Sequence, residues 1–375
     1  YTAYEYLEQR FDGKTRTLTS LLFFLQRGLS TGISVFAPSI ILSSLLGWDI
    51  IWTNLFMGGL LIIYTMSGGA KAVAYTQQIQ LFIVFTGMFL AAYMVVKMLP
   101  ADVGFADALQ VGGKLGKLNI ISTGFTEKGF NWSDQYNLLS GIIGGFFLAL
   151  SYFGTDQSQV GRYLTAKSLK ESRMGLLMNG IVKVPMQFLI LLIGVLVFTF
   201  YQFNNAPIFF NDVQLKKLEA SAYKDSLKIV QGQYAAVAVN KQQAVRDYTM
   251  ARHAGEEEKE TASLASLQSL QKESDSLRKK VVYWLNKKVP GGDGNDTNYI
   301  FLRFVVDHLP VGLVGLLIAI IFLASWGSIA AAINSLASCS MVDFHRRFTK
   351  KKDTGEDEYR LSKWYTLGWG VFCII

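Results

Sequence analysis

Residues 138–168 read LLSGIIGGFFLALSYFGTDQSQVGRYLTAKS. The stretch opens without a single charge, turns to hydroxyls and amides after Ser151, and becomes basic only at its end. Crossing the apolar core of a bilayer takes about 20 mostly apolar residues. Read that way, 137–155 is a span that ends in a polar, then cationic, surface.

The rest of the chain agrees with lipid as a solvent. Of its 375 residues, 51% are hydrophobic and only 17% are charged, where soluble domains carry about 25% charge. Seven apolar stretches have the length or composition of spans: 18–46, 51–68, 77–99, 137–155, 175–201, 310–339 and 362–375. They are too long for barrel strands, so helices must satisfy the backbone. The fold class expected is therefore all-α, a polytopic membrane helix bundle. Cys339 and Cys373 both lie in apolar segments, which excludes a disulfide framework. The chain opens on polar YTAYEYLEQRFDGKTR and stops within the apolar GWGVFCII, and is read as a fragment of a longer protein.

Alternating spans sort the loops into two sides. One side holds 1–17, 69–76, 156–174 and 340–361, and with them Arg10, Lys14, Arg16, Lys71, Arg162, Lys167, Lys170, Arg173, Arg346, Arg347, Lys350, Lys351, Lys352 and Arg360. The short loops of the other side hold only Lys114, Lys117 and Lys128. The positive-inside rule makes the first side cytoplasmic. The net charge of +8 is then a topology signal, and no nucleic-acid surface is expected.

Residues 202–309 form a long insert on the outer side. From Asp212 to Lys288 it is rich in Lys, Glu, Gln, Ala and Leu, without proline, and Leu264, Leu267, Leu270, Leu277, Val281 and Trp284 recur at helical spacing. Two long helices are expected, forming a hairpin broken near His253-Ala-Gly. The loop PGGDGNDTN, 290–298, lacks the spacing and terminal Glu of an EF-hand and reads as a return to the membrane. A partner protein on the insert, or a shield over the outer mouth, are both open.

Catalytic signatures are missing. GGKLGKL, 112–118, lacks Walker spacing; His253, His308 and His345 stand alone; no nucleophile elbow occurs. No enzyme activity is expected. Polar residues inside the spans are the functional candidates instead. Arg27 either lines a pathway, pairs with a neighbouring helix or snorkels, and Lys183 either faces a cavity or snorkels. Small residues and hydroxyls mix in GLLIAIIFLASWGSIAAAINSLASCS, which suits close helix packing and also oxygen ligation of a cation.

Three motifs in order resemble the sodium:solute symporter family: SGGAKAVAYTQQIQ at 67–80, SYFGTDQSQVGRYLTAKS at 151–168, and LPVGLVGLLIAIIFLASWGSIAAAINSLASCSMVDFHRR at 309–347, with EYLEQRF at the start. The resemblance implies a transporter fold of two inverted five-helix repeats and alternating access around a midplane site. It makes 1–201 core helices three to seven, 202–309 an extracytoplasmic helical insert, and 310–375 core helix eight with part of nine. It implies that Tyr152 is the gate over the substrate, and that Lys183 and the position of Ala149 contact it. Asp156, Gln157 and Arg162 would form the cytoplasmic exit, with Gln77 on the sodium path, and Ala324, Gly327 and Ser328 would hold the sodium ion.

Three positions depart from the family pattern. Gly327 lacks a hydroxyl, Gln77 replaces an Asp, and Ala149 replaces the Asn of sugar carriers. The function implied is a secondary active transporter of the inner membrane, importing a small polar solute with sodium. Proton coupling, or a sensor built on the same fold, are the alternatives.

Overall fold

The computed structural model of the chain describes residues 2–119, 121–126, 129–164, 166, 168–349 and 355–375, with the side chains of 44, 45, 68–76 and 164 set aside. Among the described residues it is mostly helical, with one two-stranded ribbon. In chain order the elements are α1 (Ala3–Arg10), α2 (Gly13–Leu46), α3 (Ile50–Lys97), α4 (Phe105–Lys114), β1 (Phe125–Thr126), β2 (Gly129–Phe130) and α5 (Leu138–Leu150). After α5 comes a π-helical turn (Ser151–Thr155), then α6 (Gln157–Leu164), α7 (Leu169–Phe203), α8 (Asp212–Glu219), α9 (Lys224–His253) and α10 (Glu257–Lys288). The chain continues with α11 (Thr297–His308), α12 (Val311–Cys339), a second π-helical turn (Ser340–His345), α13 (Arg346–Phe348) and α14 (Gly355–Ile374).

Six stretches among the described residues are long and apolar enough to cross a membrane: Gly13–Ser43, Ile50–Ser67, Gln77–Lys97, Leu138–Thr155, Leu169–Phe203 and Val311–Phe348. Their apolar side chains are largely exposed; Leu138–Thr155 buries none of its residues, which water would penalise and lipid does not. The seventh expected span, 362–375, is helical within the 20-residue α14, which the charges of its first half, Glu356 to Lys363, keep out of these six. The loop expected at 69–76 is not one: its backbone is helical and continues α3 from Ile50 to Lys97 without a break. The side chains of 69–76, Lys71 among them, and Lys128, Lys167, Lys350, Lys351 and Lys352 lie outside the described part.

The chain folds as two compact units. The first comprises Tyr1–Val84, Ile121–Pro185 and Ile318–Ile375. Its helices begin where caps are available: the Thr2 side chain accepts from Glu5 N–H, and Asp12 accepts from Thr15 N–H at 2.7 Å. α2 stops at Gly47, whose φ of 68° suits glycine. Val35, Leu61, Ile329, Ile333 and Cys373 form one buried cluster, and Tyr4, Phe23, Leu336 and Cys339 another. Small residues allow the close approaches. A Cβ on Gly32 would stand 3.2 Å from the Cys373 carbonyl oxygen.

Arg16, counted above among the loop charges, is tied into the tertiary structure. It is 7% exposed, and its guanidinium bonds Glu8 and the wholly buried Asp343 of the second π-helical turn, Nε donating at 2.8 Å. Thr2 Oγ1 donates to the same Asp343 oxygen at 2.7 Å. The charge lies at the start of a span but is spent on a tertiary ion pair.

The second unit comprises Phe85–Ile120 and Met186–Leu317. The hairpin expected over 212–288 is present as α9 and α10. α9 ends in paired backbone bonds, Gly255 N–H to Arg252 and Glu256 N–H to Ala251, made accessible by the φ of 72° at Gly255. Leu227, Val230, Leu277, Val281 and Leu285 interlock between the two helices. α4 packs on α7, with Thr199 Oγ1 donating to the Ala108 carbonyl at 3.0 Å. Asp107 at the start of α4 meets His253 at 2.9 Å and Arg252 at 3.3 Å. Partial burial works against its charge, but the Gly104 N–H and these two side chains outweigh it and hold the carboxyl below its ordinary range.

Candidate functional site

The π-helical turn Ser151–Thr155 lies where the opening sequence changes character. Such a turn inserts one residue into a helix and re-aims the side chains it carries. It presents Tyr152, half-buried, beside Lys183 of α7: the Lys183 Nζ stands 4.3 Å from the centre of the Tyr152 ring. A cation at this range is attracted to the ring face, an interaction worth about 0.5–2 kcal/mol depending on desolvation. Pro185, two residues on, lies inside α7 and has no N–H to give the carbonyl of Ile181, which removes one helical hydrogen bond from the stretch that carries Lys183. Ala149 lies three residues before Tyr152 and offers an exposed methyl group.

Immediately below, Asp156 leaves the helical path with ψ of 103° and starts α6. Its Oδ1 accepts from the N–H and hydroxyl of Ser158 at 2.9 and 2.7 Å, while Oδ2 faces Arg27 at 3.4 Å. Arg27 therefore pairs with an acid from another segment of the chain. Gln157 is buried, and its Oε1 accepts from Ala3 N–H at 2.7 Å. Tyr4 Oη donates to the Thr155 carbonyl at 2.8 Å. Helix α1 thus docks on the chain at Thr155 and Gln157, a contact that no sequence spacing announces. Arg162 lies on the exposed face of α6.

The residues expected to hold a cation form a second group, on α3 and α12. Ser328 Oγ donates to the Ala324 carbonyl one turn back at 3.2 Å. A hydroxyl that donates its proton keeps its lone pairs, so Ser328 can still face a cation. Gly327 is buried, and its carbonyl accepts from Gln77 Nε2 at 2.6 Å. A Cβ at Gly327 would collide with Gln80 Oε1 and stand 3.2 Å from Gln77 Cγ. Two of the three departures from the family pattern therefore touch each other. The donor set of carbonyls and a hydroxyl fits a hard monovalent cation in kind.

A multi-pass helical membrane protein, with a cation over an aromatic ring at one helix break and an oxygen-rich pair on another helix, describes a transporter scaffold. The family comparison makes this specific. The Sodium:solute symporter family matches residues 1–220, and the chain belongs to it. That family consists of transporters, which are not enzymes.

Relatives include the human sodium/iodide cotransporter, 29% identical over 48% of this chain and 27% of its own length. Human sodium-coupled monocarboxylate transporter 1 is 32% identical over 48% of the chain and 28% of its own length. The sodium/sialic acid symporter SiaT of Proteus mirabilis (strain HI4320) is 23% identical over 99% of the chain and 57% of its own length. The substrate-bound, outward-open structure of a Na+-coupled sialic acid symporter superposes with a TM-score of 0.68 at 23% identity. The match covers all of this chain and 60% of that one, and shares its fold. The chain spans less than two thirds of the length of each of these relatives.

The sequence did not single out Asp343, Thr2, or Lys241 and Arg278 of the cavity described below. An acid in SCSMVDFHRR was the available signal for the first; the others depend on contacts between distant segments.

Proposed function

We propose that the protein is a sodium-coupled secondary active transporter of the inner membrane that imports a small polar solute, a sugar or organic acid, by alternating access. The observation that carries this reading is the Lys183–Tyr152 contact, 4.3 Å from amine to ring centre, at the break between α5 and α6. Lys183 offers three N–H donors and a positive charge to a hydroxyl or carboxylate. Tyr152, on a one-turn bulge, is placed to lay its ring over a bound solute and to withdraw by a small backbone change.

Ala324, Gly327 and Ser328 are the proposed sodium ligands, with Gln77 beside them. Asp156, Gln157 and Arg162 form the proposed cytoplasmic exit, and Ala149 the wall that a larger polar residue occupies in sugar carriers. Sodium binding would favour the outward-open state, and the solute would then allow Tyr152 to close. The segments 1–201 and 310–375 form the membrane part, and 202–309 the extracytoplasmic insert. That several relatives carry names of sodium-coupled carriers supports transport over the sensor alternative.

Uptake of labelled sugars, organic acids and amino acids into proteoliposomes holding the full protein tests this. Accumulation driven by an inward sodium gradient is the expected result. Accumulation driven only by a proton gradient would move the coupling ion, and binding without uptake under either gradient would overturn the transporter reading.

A further inference from the structure

The second unit holds a half-open cavity of about 450 Å³ between the α9–α10 hairpin, the end of α7 and the start of α11. Its walls are aromatic and cationic. Phe198, Phe210 and Tyr234 supply rings; Lys117, Lys241 and Arg278 supply charge. Lys117 Nζ stands 4.8 Å from the Phe198 ring centre, and the Arg278 guanidinium 5.4 Å from that of Phe210.

Lys241 is the unusual member. It is 5% exposed, and the Gln271 amide oxygen stands 3.4 Å from its Nζ, a long contact to a neutral group. Buried lysines are almost always paired with an acid. The acid on this wall, Asp275, is exposed and accepts from Gln271 Nε2 at 2.9 Å. Arg278 is committed to Asp296, with Nη2 2.9 Å from both carboxylate oxygens. Lys117, Lys241 and Arg278 against Asp275 and Asp296 leave the site positive by one charge. Burial lowers the Lys241 amine to about 8, Arg278 adding to the effect and Asp275 opposing it, so most of it is still charged at neutral pH.

We infer that this cavity binds a small organic monocarboxylate with an aromatic or cyclic body, its carboxylate on Lys241 and its ring among Phe198, Phe210 and Tyr234. The volume suits a small ligand. A carboxylate would supply the counter-charge that Lys241 lacks, through charge-assisted hydrogen bonds. The inference is independent of the transport reading, because every wall of the cavity belongs to the second unit.

The test is ¹⁹F NMR binding of 4-fluorobenzoate to the full chain in nanodiscs of neutral lipid, with 4-fluorobenzamide as the uncharged control. Benzoate should bind and the amide should not. Lys241→Met, which keeps the stem and removes the charge, should weaken binding roughly tenfold or more. Lys117→Met, at an exposed position, should weaken it less. Lys183→Ala, which disables the proposed transport site, should leave it unchanged. Equal binding of acid and amide, or indifference to both Lys241→Met and Lys117→Met, would overturn the assignment. So would loss of binding in Lys183→Ala, which would put the anion at the transport site. Displacement of benzoate by phosphatidylglycerol at low mole fraction would reassign the cavity to a lipid headgroup and also end the proposal.

Discussion

Gln77 Nε2 donates to the carbonyl of Gly327 at 2.6 Å. In this chain the residue that replaces the family's Asp and the residue that lacks its hydroxyl are bonded partners. A Cβ on that glycine would meet the end of the Gln80 side chain and stand 3.2 Å from Gln77 Cγ, so both glutamines would have to shift to admit one. A departure that in sequence looks like a lost ligand is, in space, room made for a glutamine.

Restoring the hydroxyl alone should therefore harm the protein. Gly327→Ser should destabilise the fold by about 1–3 kcal/mol through overpacking against α3. Gln80→Ala should relieve part of that cost, so thermal unfolding of the two single variants and the double variant should be non-additive. Additive effects would show that the two helices adjust independently.

Ser328→Ala should raise the sodium concentration for half-maximal uptake about tenfold, the effect of losing one ligand worth about 1.4 kcal/mol. Sodium titration of uptake reads it directly. The same titration on Gln77→Ala, which frees the Gly327 carbonyl, should move the other way. Unchanged curves for both would remove α12 from the ion site.

Lys183→Ala should abolish uptake while leaving the elution profile and melting curve intact, because the side chain is exposed and its ring contact contributes little to folding. Tyr152→Phe keeps the ring face and should retain most activity, whereas Tyr152→Ala should not. Equal rates for Tyr152→Phe and Tyr152→Ala would show that the ring does not gate.

Arg16→Met should cost about 3–5 kcal/mol, since it leaves the buried Asp343 carboxylate without its cation. The double variant Arg16→Met, Asp343→Leu should recover much of the loss, as measured by chemical denaturation.

Stability of the α9–α10 hairpin should rise with pH between about 8 and the ordinary lysine value. Lys241 is held at about 8 when folded and titrates near 10.4 when unfolded. Between those values the unfolded chain binds the extra proton, so stability increases with pH; below about 8 the full penalty applies, roughly 3 kcal/mol. Lys241→Met should remove that slope and be the more stable protein at neutral pH. The difference between the two pH profiles from hydrogen exchange measures it.

What the sequence determined by itself is the solvent and the scaffold. The charge deficit, the length of runs such as 77–99 and 175–201, and the Lys and Arg asymmetry depend only on composition along the chain, because bilayer thickness sets a length that can be counted. Leu264, Leu267 and Leu270 betray α10 in the same way, since helical periodicity is local, and Gly255 marks where its partner helix stops. Motif order made the family legible, and with it Tyr152, Lys183 and Ser328 as candidates.

Only the tertiary structure decided which polar groups meet. That Gln77 bonds Gly327, that Arg27 faces Asp156, that Asp343 takes Arg16 and Thr2, and that Lys241 sits buried without an acid are facts about segments up to 341 residues apart. Hydrogen bonds and ion pairs act over a few ångströms, and the fold brings these groups within that reach, so spacing along the chain could name the residues but not their partners.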